Sequence, residues 1–198
     1  MAHGAYLIDS MSVQDRDLLT RLTLYFEALE TRLAQGQGWF IFNAGGARAA
    51  WLGRFIQARL AEYRPLISYY FMPWRDFALN AYMTEVELPG HQATVAEQAP
   101  DDRRRRELRI ATGVSRATGY QMRQCDVLVV AGLQPSQPHE VRLLDITVGQ
   151  RHAHRRATLL LTPLAPHELA TRFQAIEDGA AAWERLWRSM YERSLLAL

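Results

Sequence analysis

The sequence predicts an α/β protein in three layers, with helices on both faces of a parallel sheet of about five strands. Three observations predict it. Short apolar-rich runs at 39–43, 126–130 and 158–161 have the length and composition of strands buried on both faces. Stretches with apolar residues at helical spacing lie between them. The first run passes through Gly45-Gly46 straight into a helical stretch, the junction on which phosphate-binding loops are built.

The totals bound the rest. A chain of 198 residues, 48% hydrophobic with five Trp, suits one domain with a real core. Net charge is only +2, yet all 23 basic residues are arginine and lysine is absent. That excludes a Schiff-base lysine and a phosphate-loop lysine. Arginine binds phosphate bidentately and stacks on bases, so the surface keeps a capacity for nucleic acid. The single cysteine, Cys125, excludes an internal disulfide and fits a reducing, cytoplasmic setting. Beside an apolar strand it reads as buried filler rather than a nucleophile. No apolar run approaches the roughly 20 residues of a membrane span, and the first residues lack the basic-then-apolar pattern of a signal peptide. A cytoplasmic protein without membrane contact is the expectation.

The elements follow in order. Ser12 and Asp15 form a capping box with Asp in place of Glu, opening a helix over 13–34 that Gly36 and Gly38 end. A strand over 39–43 leads to a helix over 48–63 with Trp51, Leu52, Phe55, Ile56 and Leu60 inward. A strand over 66–72 stops at Pro73, which opens a helix carrying Trp74, Phe77 and Met83. Residues 84–100 read as a loop punctuated by Pro89-Gly90 and Pro100. A charged helix over 101–109 follows, then a short helix capped by Ser115. A helix over 139–155 carries Val141, Leu144, Ile146 and Val148 inward, and Pro166 opens another. A last helix, 180–193, precedes a closing strand, 194–198. No repeat and no second domain are visible.

The loop decides the chemistry. A phosphate loop needs G-x-x-x-x-G-K-[ST]. Here Asn43 takes the first glycine position, Ala49 the Lys position and Ala50 the Ser/Thr position. Gly45, Gly46 and Arg48 remain as a degenerate nucleotide loop, and Arg48 without a metal ligand nearby is a poor substitute for the lysine. Trp51, just beyond, is expected to fill space a nucleotide would need. Elsewhere, His152 and His154 two apart on a helix point to different sides among arginines, a poor metal pair. Asp76, Glu85 and Glu87 lack the partner of a general acid–base pair. Asp145 is expected to pair with an arginine such as Arg142. The candidate nucleic-acid or partner contacts are Arg103, Arg104, Arg105, Arg106, Arg151, Arg155, Arg156, Arg185 and Arg188. The N-terminal helix, and the last helix with Trp183, Trp187 and Tyr191, read as protein interface.

With those elements placed, the sequence resembles the AAA+ ATPase domain of bacterial helicase loaders of the DnaC type and their DnaA- and IstB-like relatives. Gly36-Gln37-Gly38-Trp39-Phe40-Ile41-Phe42 is similar to their G-x-G-L-L-L-Y segment, and Leu52 matches the leucine of the following helix. Cys125-Asp126-Val127-Leu128-Val129-Val130 resembles D-L-L-[VI]-[IV]-D-[DE]. Residues 150–164 resemble N-x-R-x-x-x-R-R-P-T-I-x-x-T-N-L, and 164–169 continue as L-x-x-x-E-L. Arg185-Leu186-Trp187-Arg188-Ser189 lies near the family's S-R-L arginine finger. The departures are as informative. The phosphate-loop Lys and Thr correspond to Ala49 and Ala50, the acidic pair of the metal-holding strand to Ala131 and Gly132, and the sensor Asn to Pro163.

The resemblance implies a P-loop NTPase-like sheet of order 5-1-4-3-2 without a lid, with an N-terminal helix (1–36) packed on a degenerate AAA+ domain (37–198). It also implies a protein that has lost hydrolysis and takes no cofactor. Such a protein works as a binding or regulatory factor in DNA replication, through a protein partner (initiator, helicase or loader) and a DNA contact through arginine. A monomer and a homodimer both fit. Two other readings stand beside it: an unorthodox ATP-binding ATPase of the loader type, and an interaction subunit of a transposition or phage system.

Overall fold

The computed structural model describes residues 12–86 and 102–197, except for the side chains of 86 and 102–112. Its elements are α1 (Val13–Glu27), α2 (Leu29–Ala34), β1 (Gly38–Ile41), α3 (Gly46–Glu62), β2 (Tyr69–Pro73), α4 (Trp74–Val86), α5 (Asp102–Gln124), β3 (Val127–Ala131), α6 (Pro138–Ala153), β4 (Ala157–Leu161), α7 (Pro166–Gln174), α8 (Gly179–Arg193) and β5 (Ser194–Ala197). Every strand pair is parallel, in the order β2-β3-β4-β1-β5. This is the implied order, read from the other edge.

Alternation along the strands divides the core in two. Trp39, Ile41, Val127, Val129, Leu159 and Leu161 pack with side chains of α1 and α3. Phe40, Phe42, Leu128, Val130 and Leu160 pack with α4, α6, α7 and α8. Central strands buried on both faces have no polar side, so they read as unbroken apolar runs. Close approach fixes the start of β1. A Cβ on Gly38 would lie 2.0 Å from the Thr158 carbonyl oxygen of β4, so only glycine fits there.

Several elements differ from the sequence expectation, each for a tertiary reason. The helix expected over 13–34 breaks at Ala28 (φ −103, ψ 23). Beside the break, the Tyr63 hydroxyl from the end of α3 donates to the Phe26 carbonyl at 2.5 Å. α5 is one continuous helix. Ser115 caps nothing: it is buried inside that helix and donates to Asn80 Oδ1 of α4 at 3.1 Å. Most of the loop expected over 84–100 lies outside the described residues, and α4 runs on to Val86. In α6 the buried face carries Val141, Leu144 and Val148 as expected, while Ile146 is exposed. Glu140 is buried too, because its carboxylate accepts the Ser136 and Gln137 N–H groups at 2.6 and 3.1 Å as that helix begins.

One correction concerns charge. Arg151, grouped above with surface arginines, is 0% exposed. Its Nε donates to Thr158 Oγ1 at 3.0 Å, and its Nη1 donates to the Met122 and Cys125 carbonyls at 2.8 and 2.9 Å. Its Nη2 reaches the Asp126 and Ala157 carbonyls. One guanidinium thus ties α6 to the end of α5, the approach to β3 and the start of β4. Among the described residues no carboxylate bonds to it; carbonyl dipoles hold the charge, and burial pushes its pKa down. Cys125 is buried beside it, with Sγ 3.4 Å from Nη1. Burial pushes its thiol up, while Arg151 pulls the other way. A raised thiol pKa favours the folded state below the ordinary thiol range, and that contribution is lost as pH rises through the folded value.

Arg151→Met removes the donors and keeps the apolar stem. Each buried carbonyl left without a donor costs about 1–3 kcal/mol, so urea unfolding is expected to show a loss above about 3 kcal/mol for the set. Arg151→Lys should recover only part of it, because an ammonium cannot span the same acceptors. A loss near zero would contradict this role for Arg151.

Candidate functional site: the crevice between β1 and β4

β1 and β4 are neighbours, but their following helices pack on opposite faces of the sheet: α3 with the first half of the core, α7 with the second. In open α/β sheets, neighbouring strands that part in this way leave a crevice at their carboxyl ends, where ligands bind. The residues expected to form a degenerate nucleotide loop (Gly45, Gly46, Arg48, Ala49, Ala50) follow β1, and Pro163 follows β4. Ala131 and Gly132 lie at the end of β3, on β4's other side.

Here main-chain hydrogen bonds link the exits of neighbouring strands around the crevice. Past the end of β1, the Phe42 N–H donates away from the crevice to Ala197 O of β5 at 2.8 Å, while on the β4 side the Asn43 N–H donates to Leu164 O at 3.2 Å and the Ala44 N–H to Thr162 O at 2.7 Å. The Thr162 N–H returns to Ile41 O at 2.9 Å. On β4's other side, the Gly132 and Leu133 N–H groups both donate to Leu161 O at 2.9 Å. Thr162, 0% exposed, locks the two sides together: its hydroxyl donates to Leu133 O at 2.8 Å and accepts the Leu164 N–H at 3.2 Å.

The loop itself is short. Asn43 at φ +54 and Gly46 at φ +52 turn the chain, and both adopt the left-handed conformation that Asn and Gly tolerate best. α3 then begins at Gly46. Gly46, Ala47 and Arg48, which the phosphate-loop spacing assigns to the loop, therefore form the first helical turn. A Cβ on Gly45 would lie 3.3 Å from Pro163 Cβ, so Pro163 packs directly on the loop. Arg48 Nε meets Asp15 Oδ1 of α1 at 2.8 Å, and its Nη1 donates to the Phe42 and Asn43 carbonyls at 3.3 Å. Its charge is engaged at the loop's own mouth. Trp51 packs half-buried against the core between α1, α3 and the sheet.

The remaining arginines scatter. Arg103, Arg104, Arg105 and Arg106 lie in α5, with side chains outside the described ones. Arg155 is exposed at φ +51, and Arg156 is half-buried. Arg185 forms a two-pronged pair with Asp145, at 2.7 Å for Nη2 to Oδ2 and 3.2 Å for Nε to Oδ1. Arg142, the expected partner of Asp145, instead pairs with Glu85. A local guess favours the neighbour three residues away; packing of α8 on α6 supplies a better one. His152 lies 3.3 Å from Glu192, and among the described residues no cluster of three or more His, Cys, Asp or Glu could hold a metal.

α8 carries the most distinctive surface. Trp183 and Trp187 lie 5.5 Å apart at 32°, and Trp187 and Tyr191 lie 6.5 Å apart at 27°. With Glu184 and Arg188 these rings line a shallow groove of about 400 Å³, and Tyr191 is 68% exposed.

No protein-family model matches the chain, and no curated protein is significantly similar to it. Among solved structures, the crystal structure of the DnaC helicase loader superposes with a TM-score of 0.54 at 15% identity, covering 94% of this chain and 90% of that one. The likeness shows the fold: a five-stranded parallel α/β domain of the architecture seen in that structure. Among the described residues no helix is long and apolar enough to cross a membrane.

Thr162→Val tests the clasp. It keeps the shape but leaves the Leu133 carbonyl without the hydroxyl, and a loss of about 1–3 kcal/mol is expected in urea unfolding. An unchanged midpoint would mean that the hydroxyl holds nothing.

Proposed function

We propose that this protein is a non-hydrolysing relative of the AAA+ helicase loaders that acts as a binding or regulatory factor in DNA replication, through shape and surface rather than turnover. One observation carries the reading: the crevice that would hold a nucleotide is clasped by main-chain bonds from Asn43 and Ala44 to β4's exit. The side chains around it agree. Phosphoryl transfer needs a cation on the phosphates, a held Mg²⁺ and an oriented nucleophile. Ala49, Ala50, Ala131, Gly132 and Pro163 offer no charge, hydroxyl, carboxylate or amide for any of these. Loss of one oriented donor alone costs about 10²–10³ in rate, and here the whole set is missing.

The working surface is then the outside of the domain. Aromatic and arginine side chains dominate interface energies, and α8 presents Trp187, Arg188 and Tyr191 together. A protein of the replication machinery (initiator, helicase or loader) is the partner this reading assigns. Exposed Arg155 and Arg188 are its candidate contacts to DNA phosphate.

The test is the melting temperature of the whole chain with saturating Mg·ATP. No shift is expected. None is expected for the Ala49→Lys/Ala50→Thr double variant either, because new side chains do not open a closed crevice. A saturable rise in the wild-type chain, which ligand binding to the folded state must produce, overturns the proposal. A rise in the double variant alone would assign the loss to missing side chains instead of closure.

A further inference from the structure

The sheet has two edge strands, and they are treated differently. At β5 the Arg21 guanidinium of α1 donates to the Leu196 carbonyl at 3.1 Å and covers the edge. Among the described residues β2 pairs with β3 alone, so alternate N–H and C=O groups face its other side. Natural edge strands are usually blunted by charge, proline or cover. Before Pro73, β2 reads Tyr-Tyr-Phe-Met, with neither charge nor proline.

A groove of about 430 Å³ runs along this edge. It touches Tyr70, Phe71, Met72 and Pro73 in succession. Successive strand residues point to opposite faces, so a groove that meets all four lies against the strand's edge and not on a face. α4 and α5 form its other walls, with Leu79 and Val114 each 61% exposed. Ser115 and Asn80, hydrogen-bonded to each other and buried, stand between the two helices. Asp76 at the mouth is exposed and holds no ion pair among the described residues. The slot therefore offers an unpaired ladder, aliphatic walls and one acidic group.

We propose that this edge docks an extended peptide segment of a partner protein, which adds to β2 as a further strand beside α5. The main-chain groups of β2 supply the hydrogen bonds, Leu79 and Val114 receive alternate apolar side chains, and Asp76 receives a basic residue of the segment. This is strand addition, in which the ladder gives affinity and alternate side chains give specificity. A single backbone strand satisfies the unpaired edge and fills the apolar slot at once. The inference is independent of the nucleotide reading.

The experiment uses the full chain and a labelled hexapeptide of alternating valine and threonine that begins with arginine, followed by fluorescence anisotropy. Saturable binding is expected. N-methylation of alternate peptide nitrogens, which removes ladder bonds and keeps every side chain, should weaken it at least about tenfold. Leu79→Arg and Val114→Glu should do the same; both positions are exposed, and an unchanged melting temperature verifies the fold. Asp76→Asn should weaken the arginine peptide but not its alanine analogue, and Tyr191→Ala on the far groove should change nothing. Absence of saturable binding overturns the proposal. So does binding indifferent to N-methylation, which would make the slot an apolar small-ligand pocket. A self-association that Leu79→Arg abolishes would name a second copy of this chain as the occupant and overturn it equally.

Discussion

The hydrogen bond from the Ala44 N–H to the Thr162 carbonyl, 2.7 Å long, determines what the upper end of this sheet can do. With its companions from Asn43 and Thr162 it continues the pairing of β1 and β4 beyond both strands. In an open α/β sheet, ligands bind in the crevice at this point of the topology. Here the Asn43 and Ala44 N–H groups donate to main-chain carbonyls beyond β4. Pro163 then packs on Gly45, Arg48 folds back onto the Phe42 and Asn43 carbonyls, and α3 begins early at Gly46. Each feature is consistent with a junction whose hydrogen bonds are satisfied without a ligand.

The other end of the sheet is fixed by a comparable device. Arg151 sits where α5, β3, β4 and α6 meet, and it donates to carbonyls near the end of α5, on the approach to β3 and at the start of β4. A buried charge without a carboxylate is costly unless every donor is used, and here dipoles from several elements use them. The sheet is thus tied at its amino end by one side chain and at its carboxyl end by main-chain bonds. On the outside of the domain, grooves lie on α8 and along β2.

Much of the architecture was legible because buried strands leave an unmistakable trace. The runs at 39–43, 126–130 and 158–161 became β1, β3 and β4 within a residue or two. The strand order was not legible from periodicity; it came from resemblance. The breaks and joins were hidden. Ala28 carries no helix-ending signal, and Ser115 has the local look of a cap while its partner is Asn80 on another helix. Gly45-Gly46 marks a sharp turn whether the loop wraps an anion or closes on β4, so the sequence could not distinguish the two. Arg151 does leave a trace in the sequence. It follows Leu144 and Val148 at helical spacing, on the inward stripe of α6. Thr162, the clasp's hydroxyl, had no local signal beyond its place at a strand exit.

The most direct measurement is amide hydrogen exchange at Asn43 and Ala44, with and without Mg·ATP. Donors locked into the pairing of β1 with β4 should exchange as slowly as Phe40 and Leu160 in the strands themselves, and nucleotide should leave those rates unchanged. Fast exchange at both positions, slowed once Mg·ATP is added, would mean an open loop that closes around a phosphate, and would contradict the account.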